Sequence, residues 1–442
     1  MTIRMDEGAA ELLDTLHRAG YAAYVVGGCV RDSLLGLTPH DWDLCTSALP
    51  QQGMELFGEE KCIPTGLQHG TVTVRQGGGL YEITTFRTEG TYTDGRHPDE
   101  VHFVPDVRED LARRDFTINA MAYNEKEGLV DPFGGQADLQ SGIVRAVGVP
   151  RQRFTEDALR ILRLYRFAAR FGFSIDPPTA QAAQELCAHL DCVSVERIEE
   201  ELAKLLSAPA PAAYLDEKIL GVVLPELSPE ALAAAKPVVD ACPAGERALP
   251  VRLAALLLSL GEDGTRRTLR RLRCSNACIE ETAVLVREVV SGVPGAFSSD
   301  TNRAIPSPAL LPAATGSHPS GRSSEKLPAR PPVSLNIYTR KLLGQYGLKT
   351  VQRLAALGTA LQPEHAADFA ALSELAEQLD ADGVCCRVSQ LAVNGRDLMA
   401  AGVPSGPGIR KVLEALLDGV IREEYPNERQ ALLTAVQQLA AS

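Results

Sequence analysis

Residues 24–45, YVVGGCVRDSLLGLTPHDWDLC, constrain this chain more than any other stretch. Tyr24-Val25-Val26 is a short apolar run with β-branched residues, stopped by Gly27-Gly28, which predicts a strand running into a tight turn. Residues 29–35 then carry Val30, Leu34 and Leu35 at helical spacing, and Gly36 ends that helix. Trp42, Leu44 and Cys45 resume an extended run. In a strand, residues two apart point the same way. Asp41 and Asp43 are therefore expected to project together from one face of the second strand, with Trp42 on the other.

Two carboxylates converging beyond a glycine turn have a chemical use. They can hold a pair of divalent cations roughly 4 Å apart, the arrangement used for in-line phosphoryl or nucleotidyl transfer. Gly27 and Gly28 lack side chains, so a triphosphate can approach their backbone N–H groups. Arg31, one turn into the helix, can aim a planar fork of donors at the same phosphates. An isolated DxD is more often a pair of surface turn acids. Here GG, RD and DxD fall in register within 17 residues, which favours the site.

The stretch GGCVRDSLLGLTPHDWDLC resembles the opening signature of the bacterial-type (class II) CCA-adding tRNA nucleotidyltransferases and the related poly(A) polymerases. These belong to the polymerase-β-like nucleotidyltransferase superfamily. The resemblance runs through roughly the first 210 residues and continues, more weakly, to the end. It implies an α+β fold: an N-terminal nucleotidyltransferase head with a mixed sheet and helices, followed by an all-α neck, body and tail. The expected divisions are a head at 1–147, a neck at 148–207, a body at 208–292, a linker at 293–334 and a tRNA-binding tail at 335–442.

Bulk properties agree with a multidomain enzyme. The chain has 442 residues, 45% apolar and 23% charged, enough to build more than one core. Its longest near-continuous apolar run, 253–258, is too short to span a bilayer. The N-terminal MTIRMDEGAAELL has acids where a signal peptide has an apolar core, so a cytoplasmic location is expected. Ten cysteines are scattered without CxxC pairs or zinc spacing, which suits reduced thiols. The net charge of −13 argues only weakly against a nucleic-acid partner, because phosphates respond to local charge clusters.

In the head, residues 6–20 predict an amphipathic helix and residues 50–57 another. Polar–apolar alternation in Thr71–Val74 and Tyr81–Thr84 signals an antiparallel strand pair joined by a triple glycine. Polymerase-β-like sites use a third carboxylate on a neighbouring strand. Glu82 is the candidate here, with a solvent-facing strand acid as the alternative. The resemblance gives the loop around His69 mobility during nucleotide selection. It gives Arg114, in DVREDLARRDFTINAMA, contact with the nucleotide phosphates, and leaves Asp115 and Asn119 to brace the turn beneath it. YTDGRHPD at 92–99 reads as a polar loop.

Residues 151–170, RQRFTEDALRILRLYRFAAR, hold six arginines against two acids. On a helix, Arg160, Arg163, Arg166 and Arg170 share one face, with Asp157 beside it and Thr155 as a helix start. Glu156-Asp157-Ala158-Leu159-Arg160 matches the family's EDxxR nucleotide-recognition motif. The physics stands apart from the name. Cytosine and adenine each present an exocyclic amino group beside an unprotonated ring nitrogen. Asp157 can accept from the first while Arg160 donates to the second. Guanine and uracil invert both contacts, and unpaired buried polar groups are costly. Arg163 and Arg166, a turn further on, are placed for the phosphates.

From residue 176 the pattern is helical to 287. Leu258 and Ser259 stand where some relatives carry a phosphohydrolase His-Asp pair, so that activity is not expected. TRRTLRRLR at 265–273 is either a solvated face or an RNA-backbone contact. Residues 293–332 hold eight prolines, seven serines and three glycines, a linker composition. The Gly/Pro turn in VNGRDLMAAGVPSGPGIRK either grips an RNA phosphate or is a plain helical hairpin.

The expected chemistry is template-independent CCA addition to the tRNA 3′ end from CTP and ATP. Asp41 and Asp43 would hold Mg²⁺, Gly28, Arg31 and Arg114 the triphosphate, and Asp157 and Arg160 the base, with Arg163 and Arg166 assisting. A poly(A) polymerase, an enzyme adding only CC or only A, and a non-catalytic RNA-binding protein are the alternatives. The oligomeric state stays open, a homodimer included.

Overall fold

The computed structural model describes residues 3–90, 101–291 and 335–441. The expected linker at 293–334 and polar loop at 92–99 lie outside the described residues. The chain divides into two units, Met1–Glu226 and Leu227–Ser442.

In the first unit, α1 (Glu7–Arg18) leads into β1 (Ala23–Val26), α2 (Gly28–Leu34), β2 (Leu44–Thr46) and α3 (Pro50–Phe57). Strands β3 (Cys62–Gly66), β4 (Thr71–Gln76) and β5 (Gly79–Thr85) follow, then a ribbon of β6 (Arg87–Glu89) and β7 (Val101–Phe103). After α4 (Val107–Ala112) come β8 (Ala122–Asn124) and β9 (Gly128–Val130). Seven of these strands form one mixed sheet in the order β3-β4-β5-β2-β1-β8-β9. Its core gathers Tyr24, Val26, Cys45, Phe86, Leu111 and Ala122.

Local chemistry explains these elements. Asp6 caps α1 by accepting from the Gly8 and Ala9 N–H groups, and the helix buries Ala9, Leu12, Leu13 and Leu16. Such a cap is worth about 1 kcal/mol. The β4–β5 hairpin pairs Gln76 with Gly79, and Gly77 and Gly78 take φ of 57° and 84°. Two consecutive positive φ values make the tight turn that matches strand twist, and glycine adopts them without strain.

Asp41 and Asp43 differ from expectation. Both precede β2, which begins only at Leu44. The lead-in touches β1 once, where the Val26 N–H donates to the Asp43 carbonyl at 3.0 Å. Gly27 then turns the chain away with φ 78°, so no partner strand remains for Asp41.

The first unit continues with α5 (Gly135–Ser141), β10 (Ile143–Val144), α6 (Pro150–Glu156), α7 (Leu159–Phe171) and β11 (Ser174–Ile175), then α8 (Pro177–Leu186), α9 (Val195–Leu206) and α10 (Glu217–Val223). The arginine-rich segment is therefore two helices. Asp157 breaks it with φ −145° and ψ 103°, and its Oδ1 accepts from the Leu159 N–H. Thr155, expected as a helix start, lies inside α6. An aspartate in extended conformation satisfies an orphan N–H of the first turn.

The second unit is helical throughout its described residues: α11 (Pro229–Ala241), α12 (Leu249–Leu257), α13 (Gly261–Arg271), α14 (Asn276–Val290), α15 (Leu335–Tyr346), α16 (Leu348–Leu361), α17 (Ala366–Ala381), α18 (Gly395–Ala400), α19 (Pro407–Ile421) and α20 (Arg429–Ala441). Residues 250–257 of α12 are buried all round, which marks it as a central helix. The Gly/Pro turn joins α18 to α19 over a core of Leu398, Leu416, Val420 and Leu432.

Candidate active site

The site grows from Gly27. Its N–H donates to the Met121 carbonyl at 3.0 Å, which closes β1 against the turn entering β8. A Cβ placed on Gly27 would come within 3.0 Å of Arg114 Nη1, so the absent side chain makes room for that guanidinium. Arg114 Nη2 donates to Asp110 Oδ2 at 3.3 Å. Its Nε is buried without a hydrogen-bond partner among the described residues. A half-buried, part-unsatisfied cation beside a bare glycine turn suits an anionic ligand.

Asp41 and Asp43 flank the same turn. The Asp43 carboxyl is pushed above its ordinary value by burial first, then by the charges of Glu82 and Asp41, and Arg114 opposes the rise. Asp43 is an exposed residue, yet its carboxyl is crowded enough for burial to be the first cause of that rise. Glu82 belongs to β5, which runs parallel to β2 with Leu44 opposite Ile83. The residue before each partner therefore comes side by side, which sets Glu82 next to Asp43. Three acids gathered with one arginine repel one another unless a cation arrives. Among the described residues, no three His, Cys, Asp or Glu side chains close a metal shell by themselves.

Arg31 is not open to the turn. It is 4% exposed, with Nε and Nη2 on Asp32 Oδ1 at 2.8 and 2.7 Å and Nη1 on Asn119 Oδ1 at 2.5 Å. Its guanidinium lies 5.2 and 5.0 Å from the Phe167 and Phe171 rings. Its Nη2 also comes 3.6 Å from where a Gly28 Cβ would stand. It thus supports the glycine turn from beneath.

The arginine stripe of α7 faces the head. Arg163 Nε and Nη2 donate to Asp115 Oδ2 at 2.9 and 2.6 Å. Arg166 pairs with Glu201 of α9 at 2.5 Å and stacks 3.9 Å from the Phe167 centroid. Arg170 Nη2 reaches Asp32 Oδ2 at 3.2 Å. Arg163 and Arg166, expected to face phosphates, are each held by a carboxylate in this structure. Four guanidiniums here, Arg31, Arg163, Arg166 and Arg170, meet three carboxylates, Asp32, Asp115 and Glu201, and leave one positive charge over.

Burial alone would raise the Asp115 carboxyl, but Arg163 and Asn119 hold it down to about 2. A depressed carboxylate contributes stability above its unfolded pKa near 4 and loses it as pH falls toward 2. The Asp115→Asn variant is expected to melt lower than the wild type at neutral pH, by about 2 kcal/mol of unfolding free energy, with the gap closing in acid. Thermal melts across that pH range measure it.

The EDxxR residues are brought to one corner but face separate partners. Asp157 receives both Nη atoms of Arg197 at 3.2 and 2.7 Å. Arg160 Nη1 donates to Glu156 Oε2 at 2.8 Å and the Arg153 carbonyl at 3.2 Å, and Nη2 to the Arg113 carbonyl at 3.0 Å. Arg160 thus grips the residue next to Arg114. A cleft of about 670 Å³ is walled in part by Thr88, Glu109, Arg113, Arg153 and Glu156, so a recess borders this motif.

Comparison with known proteins places the chain among relatives. The Poly A polymerase head domain model matches residues 23–145, the model of the RNA- and SrmB-binding site of polymerase A matches 172–230, and tRNA nucleotidyltransferase domain 2 matches 336–436. A CCA-adding enzyme from Lactiplantibacillus plantarum is 35% identical over 444 residues, 99% of this chain and 97% of that protein. The chain belongs to the bacterial CCA-adding enzyme family. A CCA-adding enzyme from Geobacillus stearothermophilus is 34% identical over 436 residues, 96% of this chain and 95% of its own. The crystal structure of the Bacillus stearothermophilus CCA-adding enzyme in complex with CTP superposes with a TM-score of 0.78 at 30% identity, covering 99% of this chain and 98% of that one. CCA-adding enzymes are nucleotidyltransferases, and divalent-metal dependence is general among them.

Asp32, Asp110, Arg197 and Glu201 escaped the sequence reading. The signal for the last two was weak: VERIEEEL in α9 places Arg197 and Glu201 four apart on one helix face. Elsewhere, the His69 carbonyl accepts from Arg87, which ties that loop to β6. On α13, Arg266 pairs with Glu262 and Glu280, while Arg267, Arg270, Arg271 and Arg273 are exposed.

Proposed function

We propose that this chain adds C, C and A to the 3′ end of tRNA, without a nucleic-acid template, using CTP and ATP and releasing pyrophosphate. Its membership of the CCA-adding enzyme family over nearly its whole length supports this reading, as does the resemblance to a relative holding CTP. The observation that carries it is the Arg113–Arg114 joint. The Arg113 carbonyl is held by Arg160 of the recognition motif, and the Arg114 guanidinium lies over Gly27 within the field of Asp43. The backbone point that Arg160 grips and the residue that carries the phosphate-handling guanidinium are adjacent, which brings the two groups toward one pocket.

We assign the metal to Asp41 and Asp43, with Glu82 as the third carboxylate and Mg²⁺ as the ion. An open, oxygen-only, mutually repulsive set fits, because Mg²⁺ keeps several waters and takes one or two carboxylates plus substrate phosphates. When bound, the ions supply an activated tRNA 3′-hydroxyl and neutralise charge at the α-phosphate. Arg114 binds the triphosphate over Gly27 and Gly28. Asp157, its carboxylate plane fixed by Arg197, accepts from the exocyclic amino group of cytosine or adenine, and Arg160 donates to the ring nitrogen. Arg31, Arg163 and Arg166 hold this cradle rigid and cationic, which favours an anionic nucleotide.

Residues 172–230, the tail, and the exposed arginines of α13 are the proposed tRNA contacts, through phosphates. Among the described residues no helix is long and apolar enough to cross a membrane. A tRNA substrate places the chain in the cytoplasm. The test is incubation with tRNA lacking CCA and labelled CTP or ATP, singly and together. Growth that stops after three nucleotides supports the proposal. Long A tails, or arrest after CC, point to the related activities, and no incorporation at all points to a binding protein.

A further inference from the structure

A chain of charged groups runs from α7 into the glycine turn and back. Arg170 binds Asp32, Asp32 binds Arg31, Arg31 binds Asn119, Asn119 binds Asp115, and Asp115 binds Arg163. Three of the five links join a full cation to a full anion, and the other two meet at one neutral residue. That residue is Asn119, 6% exposed, whose Oδ1 accepts from Arg31 at 2.5 Å while its Nδ2 donates to Asp115 Oδ1 at 3.0 Å. Only a group that accepts on one side and donates on the other can stand between a guanidinium and a carboxylate there. An apolar side chain would leave both unpaired, and a carboxylate would face Asp115 with like charge.

We infer that Asn119 is a positioning residue for nucleotide transfer: its amide locks the glycine turn, through Arg31, to the base-reading helix, through Asp115 and Arg163. The inference rests on the proposed function, since it assumes that the turn carries the triphosphate and α7 the base. Its consequence is that this neutral link, beside the direct Arg170–Asp32 contact at the other end of α7, helps to set the distance between base and reacting phosphorus. Loss of the link lets the two halves drift, and about 1 Å of misplacement can cost about 100-fold in rate.

Two variants test it, each followed by single-turnover rates with CTP and ATP, nucleotide KM, tRNA affinity and thermal melting. Asn119→Ala is expected to stay folded and bind tRNA as before, while its rates with both nucleotides fall between about 10-fold and about 100-fold. Asn119→Asp is the sharper probe. A protonated carboxyl repeats the amide's pattern, with O–H toward Asp115 and C=O toward Arg31. The groups facing it are Asp115, Arg31 and Asp32, with Arg163 and Arg160 behind Asp115. The neighbouring Asp115 charge favours the protonated form and Arg31 the ionised one, so titration moves the variant between a working and a broken link.

The rate of Asn119→Asp, divided by the wild-type rate at the same pH, is expected to rise as pH falls through the titration of the introduced carboxyl, whereas that of Asn119→Ala stays flat. The inference is overturned if folded Asn119→Ala works at the wild-type rate, if both variants lose tRNA binding in step with rate, or if the Asn119→Asp ratio does not respond to pH. Those outcomes leave the proposed function standing. Absence of nucleotide addition by the wild type removes both.

Discussion

Asp41→Ala is expected to reduce nucleotide incorporation by about 1,000-fold or more, with tRNA affinity nearly unchanged. Removing a carboxylate that holds the catalytic cation forfeits several kcal/mol of transition-state charge stabilisation, and each 1.36 kcal/mol is tenfold in rate. Asp41 is exposed and touches no core group, so the variant should fold as the wild type does. Single-turnover incorporation and a tRNA binding assay separate the two effects. Parallel loss of binding and activity would contradict the division of labour between the acids and the RNA surface.

The second large effect is on base choice. Asp157→Ala is expected to lower the preference for CTP over UTP, and for ATP over GTP, by about 100-fold or more, because a site that hydrogen-bonds one base edge rejects the inverted edge strongly. Rates with correct nucleotides fall less. The variant also frees Arg197 and removes the acceptor for the Leu159 N–H, so melting curves must accompany the kinetics. Competition between paired nucleotides measures the ratio directly. An unchanged ratio in a folded variant would remove Asp157 from base reading.

How far the residues alone could be read depends on the range of the interactions. The β4–β5 hairpin was legible because alternation and paired glycines act over a few positions. The glycine turn and the two acids were legible as a cluster for the same reason, though not the early end of strand pairing that leaves Asp41 free. The arginine stripe of α7 was visible, but its partners were not. Asp115 lies 48 residues from Arg163, and Asp32 lies 138 from Arg170. No local pattern announces such pairs. Arg31 illustrates the consequence: an arginine one turn past a glycine pair reads as a phosphate ligand, and its packing against Phe167 and Phe171 with two polar partners was not visible in that reading.

The break at Asp157 was hidden for a different reason. Apolar and basic periodicity continues across it, so the residues from Thr155 onward read as one helix running through Asp157. An aspartate that can cap a first turn competes with helix continuation, and tertiary pairing with Arg197 decides the outcome. That break lets the Asp157 carboxylate leave the helix surface.

The most direct measurement is a structure of the protein with a non-hydrolysable CTP or ATP analogue and Mg²⁺. A single shared pocket predicts the α-phosphate beside Asp41 and Asp43, the triphosphate on Arg114 over Gly27, and the base edge on Asp157 and Arg160. A nucleotide whose base lies away from Asp157 and Arg160 while its phosphates meet the acids would contradict it.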